Sequence, residues 1–293
     1  MRFISAHRER WGVEPICRVL QVAPSTYYAA VNRPASVRRQ RDEQLKLEIG
    51  RVHRDNFGVY GIEKVWHQLH REGTQVGRDR VARLMGELDL AGVVRGKRKR
   101  TTFPDELSQR PADLVERNFS AAAPNRLWVA DLTYVSTWTG FVYVAFVTDV
   151  FSRFIVGWRV SNSLRADLAL DALDMAIWRR QRQNLTGLIH HSDRGGQYLS
   201  IRYTERLAEA GAVCSVGSRG DSYDNALAES VNGLYKAEVI HRRPWRSLEQ
   251  VELATAEWVD WWNHRRLHSA IDGLPPAEYE AHYYSHHEAP QAA

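Results

Sequence analysis

Three strand-forming segments follow one another closely from residue 127, and they constrain the fold more than any other feature. The segments are LWVADLTYVST (127–137), GFVYVAFVTDVFS (140–152) and RFIVGWRVS (153–161). They are rich in β-branched and aromatic residues, which favour strands. Short connections join antiparallel strands, whereas parallel strands need long crossovers. The sequence therefore predicts an antiparallel meander.

Helical and strand patterns alternate after the meander. The segments 165–181, 200–211, 224–240 and 247–268 have helical character, and 187–193 and 212–218 are short strands. The last of these helices begins with a Ser247…Gln250 pair typical of a capping box. This order predicts an α/β fold with a mixed sheet and helices on its faces.

Composition limits the cellular setting and the class of protein. The chain has 293 residues, of which 44% are hydrophobic, so it can bury a substantial core. Two cysteines argue against a disulfide scaffold and fit a reducing cytoplasm. No apolar run approaches the ~18 residues of a membrane span. We therefore expect a cytoplasmic, nucleoid-associated protein with no membrane partner.

Positive charge is concentrated in the first part of the chain. Residues 1–120 contain 23 Lys and Arg against 15 Asp and Glu, whereas residues 121–293 contain 17 against 20. This asymmetry is typical of a protein whose N-terminal part contacts a polyanion. Many soluble proteins are modestly basic, so charge alone leaves this open.

A helix-turn-helix is predicted within that basic part. The helical patterns IEKVWHQLHREG and RDRVARLMGELDL are separated by the turn TQVG. The second helix has one apolar face and carries arginines off that face; the apolar positions are Val81, Leu84, Met85 and Leu88, and the arginines are Arg78, Arg80 and Arg83. Such a helix can enter a DNA groove. The alternative is a plain helical hairpin with solvated arginines.

A basic run and a Pro-rich segment follow these helices. RGKRKR (95–100) includes the candidate DNA-binding residues Lys97, Arg98, Lys99 and Arg100. Such a run either contacts phosphates or is a solvated linker. Residues 103–126 are rich in Pro, Ala and polar residues and indicate a linker. We therefore predict a helical DNA-binding region (1–102), the linker, a catalytic core (127–245) and a C-terminal helical extension (246–293).

Three acids are candidates for a shared metal site. Asp131 lies in the first strand, Asp193 ends the fourth strand, and Glu229 lies in the helix at 224–240. That helix carries a polar stripe of Asn225, Glu229, Asn232 and Lys236, opposite an apolar stripe of Leu227, Val231 and Leu234. Three carboxylates suit Mg²⁺ or Mn²⁺, and two such ions can promote phosphoryl transfer. The alternatives are a strand-edge Asp131 facing water and an ordinary solvated Glu229.

Other residues have plainer interpretations. Asp149 is expected to be structural and paired with Arg153. Glu238 follows Glu229 by nine residues and lies on a different side of an ideal helix, so both acids cannot face one metal equally well. HRRLH (264–268) and Tyr279 raise the alternative of a tyrosine recombinase, which needs Arg and His around a Tyr nucleophile. The cluster is compact and lacks a second distant Arg block, so packing or phosphate contact is favoured instead.

The segments WVADLTYV, HHSDRGGQY and DNALAESVNGLYK together resemble the three catalytic blocks of the DDE transposases. The likeness is to the OrfB-type enzymes of the family founded on insertion sequence three. Asp193 and Glu229 are separated by 35 intervening residues, a spacing shared with retroviral integrases, and Lys236 also matches. YGIEKVWHQLHREG, RVARLMGELDLAGVVRGKRKRTT and WWNHRRLHSAIDGLPPAEY resemble the flanking regions of that family.

The resemblance implies a fold and a reaction. The fold would be an RNase H-like core preceded by a helix-turn-helix region. Asp131, Asp193 and Glu229 would bind two Mg²⁺ or Mn²⁺ ions, and Lys236 and Asn225 would contact DNA. Water would cut a phosphodiester at the element's end, and the resulting 3′-OH would attack a second phosphodiester, with no covalent protein–DNA intermediate. In this family one end is expected to attack near the other on the same strand, giving a circle that later integrates.

The resemblance also implies partners. They would be the inverted repeats of the element, target DNA, further copies of the chain, and OrfA or an OrfA–OrfB fusion. The chain has no long heptad segment, so it resembles the OrfB part alone. Two alternatives remain, a non-catalytic helix-turn-helix regulator and an RNase H-like nuclease without strand transfer.

Overall fold

A computed structural model describes residues 1–34, 36–95, 120–193, 197–198, 200–216 and 226–287. Their contacts divide the chain into two compact units, Met1–Arg51 and Val52–Ala293. The predicted boundary at 102/103 and most of the linker lie outside the described residues. The predicted division into four regions stays a prediction.

A five-stranded mixed sheet forms the centre of the second unit. Its strands are β1 (Leu127–Thr137), β2 (Gly140–Asp149), β3 (Ile155–Ser161), β4 (Ile189–Ser192) and β5 (Val213–Val216). Their order across the sheet is β3-β2-β1-β4-β5. The first three strands pair antiparallel, while β4 is parallel to β1 and β5 is parallel to β4. The predicted meander and mixed sheet are therefore confirmed.

Helices cover both faces of this sheet. The described helices after β3 are α7 (Ala166–Arg179), α8 (Ile201–Glu209), α9 (Ala226–Glu238), α10 (Leu248–His264) and α11 (Pro276–His287). Short 3-10 helices occur at Ile240–Arg242 and Ser269–Ile271. α7 and α8 share one apolar core with Trp128 and Ala130 of β1. On the opposite face, Ala228 of α9 packs with Leu127 and Val129.

The alternation of side chains along β1 explains why both faces are covered. Successive residues of a strand point to opposite faces, so Trp128 and Ala130 face α7 while Val129 and Asp131 face α9. Phe146, the register partner of Asp131, packs against Tyr235 of α9. Asp131 is therefore directed towards α9 and not towards the α7 core.

Close packing of α7 on β3 depends on one glycine. A Cβ added at Gly157 would lie 2.0 Å from the main-chain oxygen of Ala172 and 2.9 Å from the main-chain nitrogen of Ala176. Backbone cannot yield to such an overlap as a flexible side chain can. Any larger residue at 157 would push α7 away from the sheet.

The first unit is helical. It contains α1 (Arg2–Trp11), α2 (Val13–Val19), α3 (Pro24–Asn32) and the first part of α4 (Val37–Asp55). Ile4, Ile16, Cys17 and Tyr27 form a small buried cluster. Pro24 is at the first position of α3, where its missing N–H and fixed φ favour a helix start.

The predicted pair of helices around TQVG forms within the second unit. These helices are α5 (Ile62–Arg71) and α6 (Arg78–Glu87). The segment before α5 packs on the C-terminal region, since Trp261 Nε1 donates to Asn56 Oδ1 at 2.9 Å and Leu267 N donates to the Tyr60 hydroxyl at 2.7 Å. None of the helices in the described ranges is both long and apolar enough to cross a membrane.

One local prediction at the start of α10 is wrong. Ser247 is the N-cap residue, but its side chain makes no capping hydrogen bond. The Gln250 side-chain oxygen instead accepts from the Arg246 main-chain N–H at 3.1 Å. The helix therefore begins where predicted with a different arrangement of donors and acceptors.

Candidate active site

Parallel pairing of β1 with β4 brings Asp131 and Asp193 onto neighbouring strands at the same level. The register runs from Leu127 opposite Ile189 to Ala130 opposite Ser192. Asp131 follows Ala130 within β1, and Asp193 directly follows Ser192, the last residue of β4. Neighbouring strands are about 4.8 Å apart, so adjacent positions on them are close in space. The two acids therefore lie at the carboxyl edge of β4, where its pairing with β1 ends.

Asp131 is half-buried and accepts two hydrogen bonds. Its Oδ1 accepts from the Leu132 main-chain N–H at 2.8 Å. Its Oδ2 accepts from Asn232 Nδ2 of α9 at 2.9 Å. These donors fix the orientation of the carboxylate relative to both the strand and the helix.

Glu229 lies in the first turn of α9, one turn before Asn232. The side chain of Glu229 is half-buried, and α9 packs against β1. The predicted apolar stripe on this helix is only partly right. Leu227 is half-buried, whereas Ala228, Val231 and Tyr235 are buried. The buried face is thus rotated towards Asn232, which allows Asn232 to reach Asp131.

The three acids influence each other electrostatically. Burial is the main cause that raises the pKa of Asp131 from 3.8 to about 7, and the negative charge of Asp193 is the next. Glu229 adds a smaller effect in the same direction, while the hydrogen bonds from Leu132 and Asn232 oppose the shift. Repulsion between carboxylates makes a proton or a cation favourable at this position.

The carboxylates are not gathered into a ligand cage. Within the part of the chain that the structure describes, no three His, Cys, Asp or Glu side chains lie close enough together to hold a metal ion. Asp193 is exposed, whereas Asp131 and Glu229 are half-buried.

Polar atoms beside the acids fit a hydrated divalent cation. Asn232 Oδ1 and the Tyr198 hydroxyl are buried and have no hydrogen-bond partner among the described residues. Burial raises the pKa of Tyr198 well above its usual value, and the charges of Tyr203, Asp131 and Asp193 add to the shift. Oxygen-rich donor sets of this kind suit Mg²⁺ or Mn²⁺. The residues present are therefore compatible with such an ion.

Family models match most of the chain. An HTH-like domain matches residues 39–98. Two models described as integrase core domains match residues 121–222 and 210–276. The second and third matches together contain β1, β4 and α9, which carry the three acids.

Curated relatives match along nearly the whole chain. A protein of insertion sequence element IS986/IS6110 from Mycobacterium tuberculosis is 58% identical over 277 residues, covering 93% of this chain and 100% of that protein. The transposase for IS629 from Shigella sonnei is 54% identical, covering 97% of each chain. The transposase InsF for IS3A from Escherichia coli is 32% identical, covering 95% of this chain and 97% of that one.

The chain belongs to this family of insertion-sequence transposases. It is therefore a DDE-type DNA transposase, a polynucleotidyl transferase that cuts and joins phosphodiesters. This membership does not favour a non-catalytic regulator or a nuclease without strand transfer.

Solved structures of retroviral integrases also resemble the transposase. The HTLV-2 integrase catalytic core domain in complex with magnesium has a TM-score of 0.42 and 16% identity, covering 55% of this chain and 99% of that one. A simian T-cell lymphotropic virus intasome has a TM-score of 0.45 and 14% identity, covering 84% of this chain and 76% of that one. The fold class follows from the sheet order and the flanking helices described above.

Lys236 lies two turns beyond Glu229 on α9 of the transposase. Its Nζ is 4.5 Å from the centroid of the Tyr134 ring on β1. Burial lowers the pKa of Lys236, and the negative charge of Asp131 opposes that shift. The lysine is thus close enough to Asp131 to be influenced by its charge.

Arg95 approaches α9 from the helix-turn-helix region and was not predicted as a site residue. Its Nη2 lies 3.4 Å from the Glu229 main-chain oxygen, and its Nη1 lies 3.4 Å from Ser230 Oγ. A Cβ at Gly233 would lie 2.4 Å from Arg95 Nε, so the close approach depends on glycine there. Arg95 begins the basic run, which suggested DNA contact but not this position.

The candidate DNA-binding arginines of α6 lie off the buried face of this helix. Val81, Leu84 and Met85 are buried and Leu88 is half-buried, as their spacing predicts. Arg78 is exposed with Asp79 3.6 Å away, Arg80 is half-buried, and Arg83 pairs with Glu87 at 2.5 Å. The remaining candidates lie outside the described residues: Asn225, Lys97, Arg98, Lys99 and Arg100.

Asp149 is structural, but its predicted partner is wrong. Among the described residues no ion pair joins the side chains of Asp149 and Arg153, although the charge of Asp149 opposes the lowering of the Arg153 pKa by burial. The Asp149 carboxylate instead accepts from the main-chain N–H groups of Asn125 at 2.7 Å and Phe151 at 2.9 Å. Local main-chain donors at a strand end can hold a carboxylate without a cation.

Glu238 and the HRRLH segment form a buried ion pair. Arg266 Nη2 lies 2.6 Å from Glu238 Oε1, and Trp258 Nε1 donates to Glu238 Oε2 at 3.0 Å. The Tyr279 ring packs on Phe151, with the ring centroids 5.0 Å apart. These groups have structural partners, as expected for packing rather than for tyrosine recombinase chemistry.

Asn232 is the other site residue that the sequence did not assign. Its place on the polar stripe with Glu229 was visible, but its hydrogen bond to Asp131 depends on which face α9 buries. A polar residue at i+3 from a predicted metal ligand was the available signal. The tertiary contact could not be deduced from that spacing.

Proposed function

We propose that Asp131, Asp193 and Glu229 form the catalytic carboxylate set of this transposase and bind two Mg²⁺ or Mn²⁺ ions. The observation that carries the proposal is the adjacency of Asp131 and Asp193 on parallel strands, with Glu229 near enough to affect the pKa of Asp131. The bound ions would supply Lewis-acid stabilisation of charge on the attacking and leaving oxygens.

The protein groups around the acids would hold and orient the reacting DNA. Asn232 and the Leu132 N–H fix the direction of the Asp131 carboxylate. Lys236 would hold a phosphate of the backbone as a point charge, because it lies two turns from Glu229 on the same helix. The same site would serve hydrolysis first, with water attacking, and strand joining second, with a 3′-OH attacking.

DNA would be bound by several parts of the chain. We propose that α6, through Arg78, Arg80 and Arg83, and the run from Arg95 to Arg100 contact phosphates of the element's inverted repeats and of target DNA. Phosphate contacts of this kind weaken as salt rises. Further copies of the chain and an OrfA product or OrfA–OrfB fusion would complete the assembly on DNA, in the cytoplasm at the nucleoid.

The proposal is tested with pre-cut DNA ends. Purified protein is incubated with Mg²⁺, a target duplex, and end fragments that carry a free 3′-OH and are taken from the DNA flanking the gene. Joined products support the proposal. Cleavage without joined product would support a nuclease, and binding with neither reaction would support a regulator.

Glu229→Gln is the decisive variant, because it removes one ligand charge while keeping the side-chain shape. It should lose cutting and joining while DNA binding stays near that of the parent. Glu257→Gln on α10 is the matched control, since Glu257 is exposed and outside the site. A Glu229→Gln protein that cuts at the parental rate contradicts the assignment.

A further inference from the structure

The hairpin formed by β1 and β2 exposes three aromatic side chains next to the candidate active site. Tyr134, Trp138 and Phe141 are 45%, 70% and 57% exposed, respectively. The Tyr134 and Phe141 rings pack edge to face, with centroids 5.6 Å apart. Large rings placed in water at one hairpin are an unfavourable arrangement unless a partner covers them.

Cationic side chains lie over the rings of this hairpin and of the segment that supports it. Lys236 Nζ is 4.5 Å from the centroid of Tyr134. The Arg246 guanidinium is 5.1 Å from the Trp138 ring, and that of Arg243 is 4.3 Å from Trp245. The main-chain N–H of Trp138 also donates to the Trp245 main-chain oxygen at 3.0 Å, which joins the hairpin to that segment. We call Tyr134, Trp138, Phe141, Lys236 and Arg246 the hairpin surface.

The hairpin surface is continuous with the carboxylates along two elements. Tyr134 follows Asp131 by three residues on β1, about 10 Å along an extended strand, and its side chain lies on the opposite face of the strand from that of Asp131. Lys236 follows Glu229 by seven residues on α9, also about 10 Å along a helix. Lys236 and Tyr134 contact each other, so the two paths meet. A DNA strand with one phosphate at the carboxylates has its neighbouring nucleotides within reach of these rings.

We propose that the hairpin surface is a stacking site for unpaired bases of the DNA end, adjacent to the phosphate that reacts. The proposal rests on the proposed function for the position of that phosphate. Aromatic faces stack on any base, and cations beside them attract the phosphates that link those bases. The ligand class is therefore a short single-stranded stretch of DNA at a duplex end.

The mixture of rings and cations favours DNA over a second protein chain. A protein partner would cover the rings with apolar side chains and leave the ammonium of Lys236 and the guanidinium of Arg246 to be desolvated. A nucleotide supplies a flat ring for Tyr134, Phe141 or Trp138 and a negative charge for the cations at once. Stacking at this site would also stabilise an opened duplex end, which exposes the terminal phosphodiester.

Fluorescence of 2-aminopurine tests the proposal directly. The probe is a mixed-sequence duplex with a short unpaired 3′ tail that carries 2-aminopurine. A blunt duplex with the same base in a pair is the reference. Protein with Glu229→Gln is used throughout so that cleavage does not alter the probe. The tailed duplex should bind about 5- to 100-fold more tightly than the blunt one, with quenched emission, because each stacked base adds affinity in that range.

Trp138→Ala and Phe141→Ala, each added to Glu229→Gln, should reduce that preference and restore the emission. Both side chains are exposed, so their removal leaves the core intact. Trp178→Ala is the matched control, because Trp178 is 67% exposed on α7 and is not part of the hairpin surface. This control should keep both the preference and the quenching.

Two results would overturn the stacking site. One is equal binding of tailed and blunt duplexes by the parent and the hairpin variants. The other is a change in association state of the hairpin variants, measured by sedimentation, at unchanged DNA affinity, which would assign the surface to a second copy. Strand joining by the unmodified protein is scored separately. A tail preference without joining would refute the proposed function alone, and joining without a tail preference would refute the stacking site alone.

Discussion

Asp131 and Asp149 lie on paired strands of one sheet, and their surroundings differ in what they offer a carboxylate. Burial is the main cause that raises the pKa of both acids, to about 7 for Asp131 and about 6 for Asp149. The next cause for Asp131 is the charge of Asp193, and for Asp149 it is the charge of Glu280. A raised pKa alone therefore does not distinguish a reactive acid from a structural one.

The donors around each acid make the distinction. Asp149 accepts from the N–H groups of Asn125, Phe151 and Ser152 and from Trp128 Nε1, and Glu280 is itself neutralised by Arg180. Asp131 has the Leu132 N–H and Asn232 as donors, and its charged neighbours among the acids are Asp193 and Glu229. The hydrogen-bond donors around Asp149 satisfy its carboxylate without a ligand. A cation near Asp131 would instead offset the repulsion between its carboxylate and those of Asp193 and Glu229.

The largest expected effect comes from Asp131→Asn. Joining should fall by at least about 1,000-fold, because a neutral amide cannot provide the charge that binds a divalent ion. The fold should persist, since Asn232 can rotate its amide and offer its unpartnered Oδ1 to the new amide. Joining assays and circular dichroism measure both outcomes. Joining within about 10-fold of the parent would remove Asp131 from the chemistry.

Asp149→Asn should have the converse effect. The side-chain NH2 of the new asparagine would face main-chain N–H donors. The buried donors left without an acceptor would cost about 2–4 kcal/mol of stability. Denaturant unfolding should show this loss of stability. Joining at low temperature, where the variant stays folded, should remain near the parental rate. Strong loss of joining in folded protein would make Asp149 part of the site.

Sequence patterns predicted the local structure around both acids but not the contacts between distant segments. LWVADLTYVST predicted both a strand and the position of Asp131 within it, because strand propensity is local. The pattern did not predict that β4 pairs with β1 in parallel, because pairing depends on contacts between distant segments. Asp149 was correctly interpreted as structural, yet its donors come from Asn125 and Phe151 and not from Arg153, since a strand end can be capped by main chain.

A substitution at Asn232 separates a residue that orients the candidate active site from one that only supports the fold. Asn232→Ala removes the donor that orients Asp131, and loss of such a partner typically weakens metal binding about 10-fold or more. The Mg²⁺ concentration for half-maximal joining should rise accordingly. Asn263→Ala is the control, because Asn263 is equally buried but bonds to the main chain of Ile155. It should reduce stability and leave the Mg²⁺ dependence unchanged. An unchanged Mg²⁺ dependence in Asn232→Ala would show that Asn232 does not orient a ligand.

The smallest expected effect is a fall in stability between pH 6 and 7 that only Asp131 produces. An acid whose pKa is raised on folding binds more protons in the folded state, so stability falls as pH rises from the unfolded pKa towards the folded one. For Asp149 this window ends near pH 6, and for Asp131 it extends to about pH 7.

Between pH 6 and 7 the decrease in the free energy of unfolding should therefore come from Asp131. It should be about 1 kcal/mol, which lowers the melting temperature by about 2–4 °C. Thermal unfolding in EDTA measures it. Asp131→Asn should lack this step and keep the fall below pH 6. Saturating Mg²⁺ should flatten the step in the parent, because a cation replaces the proton and offsets the charges of Asp193 and Glu229. An identical step in parent and Asp131→Asn protein would mean that another group titrates there, and the contrast between the two acids would fail.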